Sequence, residues 1–460
     1  TDDNMNTIGL AEDGCLKTNT FKDGASKLVW LSDCPVYIAV ETEAQHQTEY
    51  TFKGIGARDK RSVCFNMLAT AASDHSKFRA AMVNAFGAPN KLGKLTYEIV
   101  QEITQNTLKK RRIEVPQWDG PIPLVPGMNL ADDIEYKLSP KTPVEVHDGD
   151  INAAKHALRD LLGMHKYAPI LVTTVLGAPA FARWHVDDRF GLALWGLTGT
   201  MKTSTVQAVM AEFGTGYLDD AAILKHGRAG ATLVGTLEVF AGAGCMAQNL
   251  DNVKTVDHKD GARYISIIHA TIEGGDKLRG KKDGGIRDSK PFKCTPIITG
   301  EVKPEEASTS ARVLNLSWSR PDEVRLSSVQ ANADVLPVIG YHWLKYLSTT
   351  ELNLVEGFSQ ARTKYLTKFT TARYTNPGRL ATIYVMLKSV WGMLCDSPMG
   401  DVFQEFTQEF GDALDEAIVA QGKAVTDETE VERFLTGIRE LISSSPSCLE
   451  GDASPDGRER

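Results

Sequence analysis

The stretch GLTGTMKTSTVQAVM, residues 196–210, constrains this chain more than any other, because it sets a glycine-rich turn between two patterned runs. LALW leads in, and Val206, Val209, Met210 and Phe213 recur at helical spacing behind it, so a strand, a tight loop and a helix are predicted in that order. Glycines let successive backbone N–H groups turn inward around a phosphate, and a helix N-terminus adds partial positive charge. A lysine then neutralises the terminal phosphates and a hydroxyl reaches Mg2+. Gly196, Gly199, Lys202 and Thr203 stand at those positions, with Leu197, Thr198, Thr200, Met201 and Ser204 completing the candidate cradle. Met201 occupies a place where glycine is expected, and its side chain disfavours a positive φ and crowds the phosphates. A helix start after any glycine-rich turn is the competing reading of the same residues.

At 460 residues the chain is too long for one typical core, and two or three units are expected. A formal net charge of -8 provides no global field for nucleic acid, so a polyanion partner has to be met by local basic patches. The 7 cysteines form no C-x-x-C pair and read as buried thiols in a reducing compartment, so a cytoplasmic location is expected. No apolar run approaches the roughly 20 residues that span a bilayer. The opening TDDNMNTIGL lacks the regions of a signal peptide, and a start at Thr1 reads as a fragment or a processed chain.

Residues 1–115 read as an α+β accessory region: KLVWL, PVYIAVETE and YTFKGIG as strands, and SDHSKFRAAMVNAFG as a capped helix ending on Gly87. KLTYEIVQEITQNTLKKRR reads as a further helix whose last turn carries Lys109, Lys110, Arg111 and Arg112, where the helix dipole favours cations. Residues 116–185 read as linker strands and a helical collar, in which Asp150 caps DINAAKHALRDLLG and an apolar helix follows. Residues 186–322 alternate strand, helix and loop, the pattern of an α/β nucleotide-binding core with a parallel sheet between helices. Residues 323–445 read as helices, including DETEVERFLTGIRELI, and 446–460 as a disordered tail.

Further candidates follow the loop in order. GAGCMAQNLDNVKTVD sets Asp251 at the end of a short strand, where a carboxylate can join a magnesium shell, and Asn252 next to it; a turn-forming aspartate is the plainer reading. FKCTPIITGE is an apolar strand whose tip, Thr299, Gly300 and Glu301, can reach a terminal phosphate or its attacking water, unless Thr299 is an ordinary core threonine. Arg312, just before another strand, suits either a finger reaching into a neighbouring subunit or a surface salt bridge. Residues 274–290 carry Lys277, Arg279, Lys281, Lys282, Arg287 and Lys290 among glycines, a mobile loop able to track a phosphate backbone or simply to be solvated. No H-E-x-x-H or G-x-S-x-G occurs, so metal hydrolase and serine hydrolase chemistry get little support.

This succession, the loop, then GAGCMAQNLDN, IIHATIEGGDKLRGKKDGG, TPIITGE and ARVLNLSW, resembles the helicase-type AAA+ ATPase domain of replication proteins from phages, plasmids and other mobile elements. That group is related to superfamily III and minichromosome-maintenance-like helicases. The resemblance spans roughly residues 120–350 and continues into YHWLKYL. It implies that Gly196, Gly199, Lys202 and Thr203 form Walker A, Asp251 Walker B with Thr203 on the metal, Thr299 the sensor-1 position, and Arg312 a finger acting in trans. Lys277, Arg279, Lys281, Lys282 and Arg287 would fall on a DNA-tracking hairpin. Met201 for glycine and Asn252 for glutamate depart from the pattern, and both bear on turnover. The implied activity is an ATP- and Mg2+-dependent motor, a homo-oligomer, expected as a hexameric ring, on single-stranded or forked DNA, with a primase or polymerase as a further partner. The alternatives are a nucleotide-binding assembly factor or replication initiator that does not unwind DNA, and a small-molecule kinase.

Overall fold

Short β-branched and aromatic runs alternating with polar turns build the first part of the chain, and βα repeats build the second. The computed structural model describes residues 8–10, 16–22, 25–32, 36–44, 47–55, 62–86, 100, 110–128, 134–184, 189–226, 231–253, 258–273, 292–303, 307–350, 354–423 and 435. The chain divides into two units, Thr1–Pro116 with Leu124–Ser139, and Gln117–Pro123 with Pro140–Arg460.

In the first unit, β1 (Ile8–Leu10), β2 (Leu16–Lys22) and β3 (Ala25–Ser32) form an antiparallel sheet. β4 (Val36–Ala44), β5 (Gln47–Ile55) and β6 (Ser62–Leu68) form an antiparallel meander. A short helix, α1 (Ala69–Ala72), leads to α2 (His75–Phe86), which Asp74 caps by accepting from the Ser76 and Lys77 amides at 3.0 and 3.2 Å. The Phe52 ring stacks on Phe65 with centroids 4.9 Å apart and meets Phe78 of α2 at 5.5 Å, which fixes the helix on the meander.

Val100 is helical as expected, and only the cationic end of the expected helix is corrected here. Lys110–Ile113 is a strand, β7, lying parallel to β4. After a small ribbon, β8 (Gln117–Asp119) and β9 (Ile122–Leu124), β10 (Ile134–Tyr136) adds on the far side of β7, giving the order β10-β7-β4-β5-β6. Register sets Arg111 beside Glu41 and Arg112 beside Glu135, and Arg112 pairs with Glu135 at 3.2 Å. The ladders to β4 and β10 thus take these residues out of the helical local pattern. Lys109 lies outside the described residues.

In the second unit, α3 (Ile151–Gly163) begins as expected on Asp150, whose carboxylate accepts from the Asn152 and Ala153 amides at 2.8 and 3.3 Å. α4 (Ala168–Arg183) is buried from Ala168 to Phe181, as a helix apolar all round must be. The central sheet is wholly parallel: β11 (Gly191–Trp195), β12 (Ala247–Val253), β13 (Thr295–Gly300) and β14 (Val313–Ser317) lie in the order β12-β13-β11-β14. Its crossovers are α5 (Lys202–Met210), α6 (Leu233–Gly242), α7 (His258–Glu273) and the short α8 (Ala307–Ser310). Trp195, Phe240, Leu250, Tyr264, Ile268 and Ile298 belong to one buried cluster that fastens α6 and α7 to the sheet.

Helices follow: α9 (Glu323–Ala331), α10 (Leu336–Thr349), α11 (Leu354–Thr371), α12 (Pro377–Asp396), α13 (Gly400–Glu405) and a helical stretch over 407–423. Trp391 stacks flat on Phe410 at 4.2 Å, closing the end of this array. The expected helix in DETEVERFLTGIRELI, save residue 435, and the expected tail lie outside the described residues.

Candidate nucleotide-binding site

The loop after β11 is held by backbone contacts that only small residues permit. The Trp318 amide donates to the Trp195 carbonyl at 2.6 Å and the Gly196 amide to the Gly300 carbonyl at 3.2 Å, so the loop leaves the sheet between the ends of β13 and β14. A Cβ on Gly196 would overlap the Trp318 carbonyl. Gly199 turns the chain at φ 82°. Met201 follows at φ 53° and ψ 26°, left-handed, as the residue before α5. The loop therefore keeps the positive φ that glycine would have provided, at a cost of about 1 kcal/mol for an L-residue.

Three side chains converge where this loop meets the tips of β12 and β13. Asp251 Oδ1 accepts from Thr203 Oγ1 at 2.6 Å and from Thr299 Oγ1 at 2.6 Å. Its backbone is clamped too: the Asp251 amide donates to the Leu224 carbonyl at 2.8 Å, and the His226 amide donates to the Asp251 carbonyl at 2.9 Å. This bridge through Lys225 runs parallel to β12 on its outer edge. Lys202, buried by the loop, donates from Nζ to the carbonyls of Gly196 and Leu197 at 2.8 and 2.9 Å and to Thr200 Oγ1 at 3.0 Å. Burial lowers its pKa, while the carboxylates of Glu301 and Asp251 oppose that shift.

Asn252 sits in an irregularity of the β12–β13 ladder at φ 58°, with its side chain exposed. Asparagine tolerates this left-handed conformation better than most residues, a local reason for its presence where the sequence pattern wants glutamate. Glu301 is the residue after β13, at the strand tip whose polar residues the sequence places within reach of a terminal phosphate or its attacking water. Its Oε1 accepts from Thr198 Oγ1 at 2.7 Å, which brings a second carboxylate to the loop. The signal for it is positional: Gly300 lies against Trp195 and the Val253 carbonyl, so the residue after it emerges beside the cradle.

Arg312 is not part of this cluster. The Gly191 amide donates to its carbonyl at 3.1 Å, level with the start of β11, whereas the loop leaves the other end. Five residues of strand, about 16 Å, separate the two edges. There Arg312 pairs with Glu273 at 2.5 Å and donates to the Ser308 carbonyl at 2.8 Å, in a cleft also lined by Arg189 and Arg379. Lys277, Arg279, Lys281, Lys282 and Arg287 lie outside the described residues.

No family model matches the sequence, and no curated protein matches it. Among solved structures, the chain is similar to one described as the active helicase Cch of SCCmec type IV, at 12% identity and a TM-score of 0.47, over 97% of this chain and 83% of that one. It is also similar to the apo C-terminal region of NrS-1, at 12% identity and a TM-score of 0.31, over 80% of this chain and 91% of that one. Likeness at this level assigns no activity, which has to rest on the site.

The donor set suits magnesium held against phosphates. Mg2+ in such sites takes one or two protein oxygens and fills its remaining positions with water and phosphate. One carboxylate and one hydroxyl, Asp251 and Thr203, are already joined by a hydrogen bond. Among the described residues no group of three or more His, Cys, Asp or Glu could form an all-protein metal cage, and no helix is long and apolar enough to cross a membrane.

Proposed function

We propose that this chain is an ATP- and Mg2+-dependent motor of the AAA+ helicase type that works as a homo-oligomer, a hexameric ring, on single-stranded or forked DNA in the replication of a mobile element. The observation that carries the nucleotide reading is the convergence of Thr203 and Thr299 on one oxygen of Asp251 beside Lys202. A strand end, a helix N-terminus and a neighbouring strand tip meet there, in a parallel sheet where ligands bind at the carboxyl ends of strands. In this reading Gly196, Leu197, Thr198, Gly199, Thr200 and Met201 wrap the phosphates, and Lys202 exchanges loop carbonyls for phosphate oxygens. Thr203 and Asp251 hold the metal, which supplies charge neutralisation across the terminal phosphates. Thr299 orients Asp251.

The placement of Arg312 supports the oligomer in this reading. As a finger, an arginine about 16 Å from its own cradle would act on a phosphate across a junction between two copies. DNA as the track rests on the cationic residues Lys277, Arg279, Lys281, Lys282 and Arg287 and on the family resemblance.

Asn252 favours a second reading, an assembly factor that binds ATP without turning it over, because an amide takes no proton from water. Three measurements test these readings. Lys202→Ala is expected to weaken ATP binding by about 100-fold, near 2.7 kcal/mol; equal binding by both proteins overturns the nucleotide site. Mixing Lys202→Ala with Arg312→Ala subunits is expected to raise ATP turnover above either alone, since some junctions then pair an intact lysine with an intact arginine. Strand displacement at low salt decides between motor and assembly factor.

A further inference from the structure

The carboxylates acting on Lys202 are those of Asp251 and Glu301. Asp251 is committed: one of its oxygens accepts from two threonine hydroxyls, and its backbone is held on both sides. Asn252, which stands where the resemblance expects a glutamate bearing on turnover, is exposed and carries an amide that takes no proton from water. Glu301, one residue beyond the end of β13, has its Oε1 bonded to Thr198 in the loop and is exposed rather than locked in the core. We propose that Glu301 is the residue that activates the attacking water in this site, taking over at the tip of β13 the task that Asn252 at the tip of β12 cannot perform.

This inference rests on the nucleotide-hydrolysing reading above and names the base for that reaction. Glu301 leaves Thr198 and accepts a hydrogen bond from a water in line with the terminal phosphate. As the water oxygen bonds to the γ-phosphorus, the bond from that phosphorus to the β,γ-bridging oxygen breaks and its electron pair stays on the nucleoside diphosphate. The water proton passes to the Glu301 carboxylate and then to solvent, so nucleoside triphosphate and water give diphosphate, phosphate and a proton. Geometry favours this assignment because Gly300 is wedged against the Trp195 ring and the Val253 carbonyl, which fixes the stem from which Glu301 projects.

Glu301→Gln tests it, because glutamine keeps the oxygen that accepts from Thr198 and loses only the ability to take a proton. With ATP, Mg2+ and single-stranded DNA, Glu301→Gln is expected to bind ATP within about 3-fold of the parent and to turn it over about 10²- to 10⁴-fold more slowly. Nucleotide extracted from it after incubation is expected to be ATP, against ADP from the parent, and Glu301→Asp is expected to recover part of the rate. Parent-like turnover by Glu301→Gln overturns the inference while leaving the nucleotide site intact, and so does a parent protein that binds ATP but never hydrolyses it. Loss of ATP binding in Glu301→Gln also overturns it, by making Glu301 a binding residue. A parent that binds no ATP overturns the nucleotide reading itself, and this inference with it.

Discussion

Gly196 and Trp318 approach so closely that the Trp318 carbonyl fills the space where a side chain on Gly196 would stand. The contact ties the first residue of the loop to the end of β14, and the Trp318 amide returns a bond to the Trp195 carbonyl at 2.6 Å. His165 stacks on the Trp318 ring at 3.9 Å and limits its retreat. Gly196→Ala is therefore expected to cost more than about 2 kcal/mol in urea denaturation and to abolish ATP binding by titration calorimetry. An alanine variant as stable as the parent would mean that the strand end yields.

Met201 sets a contrasting case. Its left-handed backbone costs about 1 kcal/mol that glycine would avoid. Met201→Gly should raise the denaturation midpoint by the corresponding amount, without changing the slope. A drop in stability would show that the methionine side chain contributes more through packing than its backbone loses.

Metal dependence is expected to run through Asp251. In the parent, removing Mg2+ with EDTA should weaken ATP binding about 10-fold or more, on the order of 1.4 kcal/mol. Asp251→Asn should bind ATP at that weaker level with or without Mg2+. A variant that still responds fully to Mg2+ would place the ion elsewhere.

A pH effect should come from Glu212, buried next to the loop's helix, with neither carboxylate oxygen hydrogen-bonded among the described residues. Burial raises its pKa well above the ordinary value of 4.5, so the folded state keeps a proton that the unfolded chain releases. Its contribution is whole below about pH 4.5 and declines as pH rises toward the folded value, by up to about 1.4 kcal/mol per unit. Glu212→Gln should flatten this decline and be the more stable protein at pH 8, measured by denaturation across pH.

How much of this was legible beforehand depended on whether the signal was local. The strand, glycine turn and helix around Lys202 carry their own periodicity, and Asp150 announces its helix by capping it. β7 carries no local mark, because Lys110–Ile113 takes its conformation from strands distant in sequence, with Arg112 answering Glu135. Thr299 was legible as a strand-tip hydroxyl, but its bond to Asp251 depends on sheet register. Glu301 was legible in the same way, but its bond to Thr198 depends on how Gly300 packs against Trp195. The left-handed backbone at Asn252, which makes sense of that residue locally, belongs to a ladder irregularity with no sequence mark of its own.

If the loop binds phosphate as proposed, the bonds that Lys202 makes within its own loop set an admission test for ligands. Its ammonium group already has three acceptors, at Gly196, Leu197 and Thr200. An incoming anion has to offer more than those three together before the lysine changes allegiance. A lone chloride or carboxylate brings too little charge and too few oxygens, whereas a chain of phosphates carrying its own cation brings both. In the proposed function the cradle thus screens by charge density, ahead of any recognition of the base.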